Sequence, residues 1–324
     1  MSKSVYITRV IPDIAIKMLQ EKDYIVDIYS KDRVPSQKEL VKALQEKPYD
    51  AVISLLTDKI DATIFDAAPT VKLYANYATG YDNIDVAEAK KRGIQAANTP
   101  GNYAYTIAEH TLALMLGLTT RIVEGDDFVR AGKYKGWSPM NLVGTDLQGK
   151  VLGLIGAGRI GERVAHHCYR GFDMEIVYHD LNRNETLEHD YKARRVETVE
   201  EVLVQSDIVS LHVPLLESTK HLMNDIRLGM MKPTAFLINT SRGPVVDENA
   251  LVQALQNGTI RGAGLDVFEF EPKLARGLAK LPNVILTPHI ASARESARTE
   301  MAKVAAQNVI AFLEQGTVKN SVIK

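Results

Sequence analysis

The chain has 324 residues, room for about two domains, and its 45% apolar and 24% charged residues are an ordinary soluble composition. A formal net charge of −1 provides no global field to draw nucleic acid or an anionic membrane, so neither is an expected partner. Cys168 is the only cysteine, which excludes an intrachain disulfide and a cysteine-cluster metal site, and no metal is expected.

The opening run, SVYITRV, is strand-like, and the residues after it are too polar for a signal peptide. The longest apolar stretch, TLALMLGL at 111–118, is far short of a membrane span, and the protein reads as soluble and cytoplasmic. Further strand candidates come in turn as YIVDIYS, DAVISLL, VKLYANYA and IQAANTP, separated by amphipathic stretches such as PSQKELVKALQEK and DVAEAKKRG. In ELVKALQEK the apolar Leu40, Val41 and Leu44 form a helical stripe. Strand–helix alternation of this kind predicts βαβ units and a parallel, doubly wound sheet. Between about 101 and 145 a strongly apolar helix gives way to an irregular, glycine-containing segment. A second series begins near 150 with KVLGLIG, MEIVYHD, SDIVSLHV, TAFLINTS, RGAGLDV and NVILTP. These near-continuous apolar runs suit strands buried on both faces. One long helical pattern, about 292–315, remains and is free to return to the first domain. The expected architecture is two α/β domains with a cleft between them.

VLGLIGAGRIGERVA places Gly156, Gly158 and Gly161 in G-x-G-x-x-G, closing one strand and opening a helix with apolar Ile160, Val164 and Ala165. Gly156 would make the tight turn, Gly158 would let a pyrophosphate approach the backbone, and Gly161 would let helix pack on strand. The helix N-terminus would offer its free N–H groups to the phosphates. Asp180 ends the next strand, 19 residues beyond Gly161. An acid there reads the adenosine ribose hydroxyls and repels a 2′-phosphate, which argues for NAD(H) over NADP(H). Arg183, three residues on, is the group that would hold a 2′-phosphate instead. A glycine turn that binds nothing, or a methyltransferase-type nucleotide site, is the competing reading.

Unusual polar groups end three successive strands: Arg242 after FLINTSRG, Asp266 and Glu271 in GAGLDVFEFEP, and His289 after VILTPHI. Ligands of open α/β sheets bind outside the carboxyl ends of the strands. A guanidinium matches a carboxylate in geometry and charge, so Arg242 would grip a 2-oxo acid. An imidazolium near neutrality suits reversible proton transfer, so His289 would protonate the carbonyl oxygen, with Glu271 fixing its tautomer.

GYDNID (80–85), NTPGNYAYTIAEHTLALML (98–116), LGLIGAGRIG, LHVPLLESTKHLMN, INTSRGPVVDENAL, GAGLDVFEFEP and TPHIASA together strongly resemble the D-isomer-specific 2-hydroxyacid dehydrogenases over essentially the whole chain. The resemblance implies that Arg242, Glu271 and His289 are catalytic, and that Thr79 and Gly80 present backbone groups to the substrate carboxylate, with Leu56 lining the pocket. It implies that Arg159 and Ile160 cover the pyrophosphate, that Val213, Pro214 and Thr219 line the adenosine and ribose side, and that Thr240 and Asp266 contact the nicotinamide. The implied fold is a discontinuous flavodoxin-like substrate domain, 1–100 plus 290–324, around a Rossmann NAD-binding domain, 101–289. Members are typically homodimers joined through the helix matching 103–120.

Within the family, ANYATGYDNID and DDFVRAGKYKGWSP are most similar to glyoxylate/hydroxypyruvate reductases. Two departures stand out: Asp180, Leu181, Asn182 and Arg183 occupy positions where NADPH-using relatives carry an Arg and a Ser/Thr–Arg pair, and Asn141 replaces a frequent Trp. The expected function is NAD(H)-dependent reduction of a small 2-oxo acid, glyoxylate or hydroxypyruvate. The rivals are a dehydrogenase for another D-2-hydroxy acid (D-lactate or 3-phosphoglycerate) and an NAD(H)-sensing protein like the C-terminal-binding-protein corepressors. The adjacent His166, His167 and Cys168 do not share a helical face and are not taken as a metal site.

Overall fold

A computed structural model describes residues 2–101 and 103–323. The chain divides into two compact units, residues 1–102 with 293–324, and residues 103–292.

The first unit runs β1 (Ser4–Ile7), α1 (Asp13–Gln20), β2 (Ile25–Ile28), α2 (Gln37–Gln45), β3 (Ala51–Leu55), α3 (Ala62–Ala67), β4 (Leu73–Tyr77), α4 (Val86–Lys91) and β5 (Gln95–Ala97). Its five strands are parallel in the order β2-β1-β3-β4-β5, the flavodoxin-like winding. Local chemistry sets the helix starts. Ser36 and Glu39 cap each other's backbone at the head of α2, which turns Leu40 and Leu44 inward. One face of the sheet packs Val52, Tyr74 and Ala96 against Leu40, Ile64 and Ala89 from the helices.

The second unit opens with two helices, here α5 (Ala104–Thr119) and α6 (Ile122–Arg130), and continues through β6 (Val151–Ile155), α7 (Arg159–Phe172), β7 (Glu175–His179), α8 (Glu185–Asp190) and β8 (Arg194–Arg195). It is completed by α9 (Val199–Gln205), β9 (Ile208–Leu211), α10 (Asp225–Met230), β10 (Phe236–Asn239), α11 (Glu248–Gln256), β11 (Gly262–Leu265) and β12 (Val284–Leu286). Seven parallel strands lie in the order β12-β11-β10-β9-β6-β7-β8. Counted from β6 this is 3-2-1-4-5-6 with a seventh strand added, the dinucleotide-binding order. The sheet is covered on both faces. Val209, Leu237 and Leu265 pack on one side with Val202, Leu228 and Leu251, while Leu152, Leu154 and Ile238 pack on the other with Met115, Val164 and the buried thiol Cys168.

The last helix, α12 (Glu295–Gln315), belongs to the first unit. The Tyr77 hydroxyl donates to the Arg298 carbonyl at 2.9 Å, and buried Asn308 donates to the Asn98 carbonyl at 2.9 Å. The helix starts at Glu295 rather than near 292. Two further differences from the expected pattern have physical reasons. Strand β8 is two arginines on a sheet edge, with no apolar run to betray it. Residues 122–130 are helical, although no residue of α6 is buried and its glycine and paired aspartates weaken the helical signal. Among the described residues no helix is long and apolar enough to cross a membrane.

Candidate active site

The glycine loop joins β6 to α7. Gly156 has φ +96°, and a Cβ there would also sit 2.6 Å from the His212 carbonyl oxygen. A Cβ on Gly161 would drive into the Gly156 carbonyl, so helix and loop touch only because that residue has no side chain. Gly158 differs: a Cβ there would meet no atom within 4 Å, and Gly158 and Arg159 are both exposed. Gly158 is the N-cap of α7 and brings no side-chain cap, so the helix presents N–H groups and the positive end of its dipole there. This cradle suits a pyrophosphate, and Ile160 lies partly buried beside it. Desolvation holds the His212 pKa down to about 3, so its ring adds no charge next to the loop.

Asp180 follows β7. Its carboxylate accepts from the Ala157 N–H at 2.7 Å and the Asn182 N–H at 2.9 Å, which ties the strand end to the glycine loop. Arg183 is drawn away into a double contact with Glu188, at 2.8 and 2.5 Å, and Glu188 also accepts from the Tyr178 hydroxyl at 2.8 Å. Beyond β9, Val213 and Thr219 are partly buried and Pro214 is exposed. The Thr219 hydroxyl donates to the Pro214 carbonyl at 2.6 Å and accepts from the Leu216 N–H at 2.8 Å, closing the turn.

Arg242, Glu271 and His289 follow β10, β11 and β12, which are adjacent in the sheet. His289 Nδ1 lies 3.0 Å from Glu271 Oε2, while Glu271 Oε1 accepts from the Phe268 N–H at 3.0 Å. Each of these side chains is about one-quarter exposed, enough to meet a ligand. Gly243, next to Arg242, packs its backbone so closely on Phe268 and Glu269 that no side chain would fit. The Arg242 loop and the Glu271 loop are thus in direct contact.

His289 has a left-handed backbone, φ +55°, uncommon outside glycine. Asp266 holds it there. The Asp266 carbonyl accepts from the His289 N–H at 2.8 Å, and its carboxylate accepts from the N–H groups of Ile290 and Ala291, each at 2.8 Å. The same carboxylate takes the Thr287 hydroxyl at 2.6 Å, and Thr287 in turn accepts from His110 of α5 at 3.0 Å. Burial alone would raise the Asp266 pKa, but the hydrogen bonds from His110, Thr287 and the two backbone N–H groups hold it below the usual carboxylate range. Asp266 is fully buried, so its side chain serves the histidine turn. Thr240, also buried, shares a hydroxyl hydrogen bond with Thr111 at 3.0 Å. His110 and Thr287 lie inside the motifs EHTLALML and TPHIASA, but nothing in either marked their pairing, because His110 acts on a residue 177 positions away.

In the first unit, Leu56 follows β3, and Thr79 and Gly80 follow the neighbouring β4. Leu56 is partly buried and Thr79 exposed. Asn76 donates to the Gly80 carbonyl at 2.9 Å and to Asn83 at 2.9 Å, and Asn83 donates to the carbonyls of Leu55 and Asp58, each at 3.0 Å. These two asparagines, which sequence reasoning passed over, lace the β3 and β4 loops together.

A dinucleotide-type loop beside a histidine–carboxylate pair and an arginine defines the class as a nucleotide-dependent oxidoreductase. Comparison with known proteins gives the family. Residues 112–291 match the model of the D-isomer specific 2-hydroxyacid dehydrogenase NAD-binding domain. A glyoxylate reductase of Thermofilum pendens is 48% identical, with 96% of this chain and 91% of the relative covered. A crystal structure of a Thermus thermophilus protein superposes with a TM-score of 0.91 at 40% identity, covering 98% of this chain and 99% of that one. The NADPH-dependent glyoxylate/hydroxypyruvate reductase of Sinorhizobium meliloti, solved with NADP and malonate, gives 0.85 at 30% identity, covering 99% and 97%. The chain belongs to the D-isomer specific 2-hydroxyacid dehydrogenase family.

Proposed function

We propose that the protein reduces a small 2-oxo acid, glyoxylate or hydroxypyruvate, to the D-2-hydroxy acid with NADH. The observation that carries this reading is the His289–Glu271 pair, 3.0 Å apart, on strand ends next to that of Arg242. When bound, the nicotinamide supplies the hydride that reaches the carbonyl carbon. Arg242 holds the substrate carboxylate and polarises the carbonyl. Glu271 accepts from Nδ1, so Nε2 is the nitrogen that passes its proton to the carbonyl oxygen, and the ring is left neutral with hydrogen on Nδ1. Thr79 and Gly80 are proposed to offer backbone groups to a substrate carboxylate, and Leu56 to bound a small substituent.

The glycine loop with Arg159 and Ile160 holds the pyrophosphate, Val213, Pro214 and Thr219 take the adenosine side, and Thr240 with the turn that Asp266 holds takes the nicotinamide side. Asp180 disfavours a 2′-phosphate by charge, and the engagement of Arg183 with Glu188 leaves that guanidinium committed elsewhere, which supports NADH. An unpaired, buried cysteine fits a reducing compartment, and we place the enzyme in the cytoplasm.

The test is oxidation of NADH and NADPH with glyoxylate, hydroxypyruvate, pyruvate and 3-phosphohydroxypyruvate. We expect turnover with the first two, better with NADH, and an Asp180→Ala variant in which both the kcat/KM ratio and the Kd ratio of the two cofactors shrink. Tight NADH binding without turnover of any acid would instead indicate a sensor.

A further inference from the structure

The carboxylate that best explains the placement of Glu271 and Arg242 belongs to neither. Glu248, the first residue of α11, is 1% exposed. Its Oε1 accepts from the Glu269 N–H at 2.6 Å, and its Oε2 accepts from the Ala275 N–H at 2.8 Å. These two amides bracket Glu271. Glu269 answers by accepting from the Glu248 N–H at 3.2 Å, and its other oxygen meets His221 Nε2 at 2.7 Å. The His221 N–H donates to the Pro244 carbonyl at 2.8 Å, two residues beyond Arg242. A continuous set of hydrogen bonds thus joins the Arg242 loop, the head of α11 and the Glu271 loop.

We propose that Glu248 is a positioning residue that clamps both ends of the 269–275 loop, setting Glu271 against His289 and the Arg242 loop against Glu269. It touches no reacting atom itself, and its catalytic consequence rests on the reductase reading above. A buried carboxylate is a costly choice here. Burial raises its pKa, the Glu269 and Glu271 charges raise it further, and the two N–H groups oppose them. Glutamine, the neutral isostere, has one acceptor oxygen, and since the two amides point at different oxygens of Glu248, its NH2 would face one of them. An ionised side chain accepts from both, and such charge-assisted bonds are stronger than neutral ones. Cost is thereby concentrated where geometry governs rate, because small misplacements of catalytic groups lower rates by up to about 10²-fold.

The test compares wild type with Glu248→Gln and Glu248→Asp, measuring kcat and KM for glyoxylate, NADH Kd and Tm. For Glu248→Gln we expect kcat to fall roughly 10- to 100-fold while KM and NADH Kd stay within about twofold, and Tm to fall by roughly a few degrees, because the amide turns a donor toward a backbone donor. Glu248→Asp, charged but shorter, should lie between. Unchanged kcat, or a joint collapse of kcat, KM, Kd and Tm, overturns the proposal. If wild type turns over no 2-oxo acid, the reductase reading fails separately. The clamp is then judged by amide hydrogen exchange: Glu248→Gln must lose protection at Glu269 and Ala275, and retained protection at both refutes it.

Discussion

His289 concentrates the residue-scale argument. Its left-handed backbone, of a kind that costs on the order of 1–3 kcal/mol, is held by three N–H groups directed at Asp266. Asparagine tolerates that backbone but carries no imidazole, so His289→Asn isolates the chemistry from the fold. We expect kcat to drop roughly 10²–10⁴-fold, the usual worth of a positioned acid, with NADH affinity retained. Near-normal turnover in steady-state assays would show that another group delivers the proton. Part of this site was legible in the sequence. Gly156, Gly158 and Gly161 are spaced by the backbone's own demands, and an arginine, an acid and a histidine at three strand ends are conspicuous. Asp180 was legible as an acid after the second strand, but its bond to Ala157 was not. The supports were hidden because each acts across the chain: Glu248 on Ala275, 27 residues away, and His221 on Glu269, 48 away. No local pattern marks such pairs.

At the scale of elements, the turn after β12 is held by a carboxylate from the end of β11. The pH dependence follows in sign. A carboxyl whose folded pKa is depressed adds stability above the unfolded value of about 4, and that stability is lost as pH falls through the folded value. An amide at this position would turn a donor toward backbone donors, so Asp266→Asn should cost about 1–3 kcal/mol at pH 7. Urea unfolding should show this difference shrinking below about pH 4, and a pH-independent difference would contradict the assignment. The elements themselves read clearly wherever burial imposes a pattern. Strands β6, β9 and β10 are apolar on both faces because helices cover both, and the stripe of α2 shows in Leu40 and Leu44. Strand β8 and helix α6 bury too little apolar surface to write a pattern.

For the whole molecule, the distribution of apolar surface is the informative quantity. Most of α5 is covered by its own unit, which leaves an outward stripe through Tyr105, Glu109 and Ala113. Beyond it, Ile122, Val129, Trp137 and Met140 stand 58–83% exposed on α6 and the segment after it. Exposed apolar side chains grouped in one stretch of chain suit association, and we propose a homodimer joined through the 103–120 helix with α6 contributing. Ile122 and Val129 lie two turns apart on one face, so Ile122→Asp with Val129→Asp should convert dimer to monomer in sedimentation velocity. A wild type that sediments as a monomer at micromolar concentration would remove the basis for that interface. The sealed thiol of Cys168, its pKa pushed up to about 12 by burial, has a practical use. Spectroscopic labels added through engineered surface cysteines meet no competing native thiol, and a chosen loop of either unit can be followed in solution without first removing any natural residue.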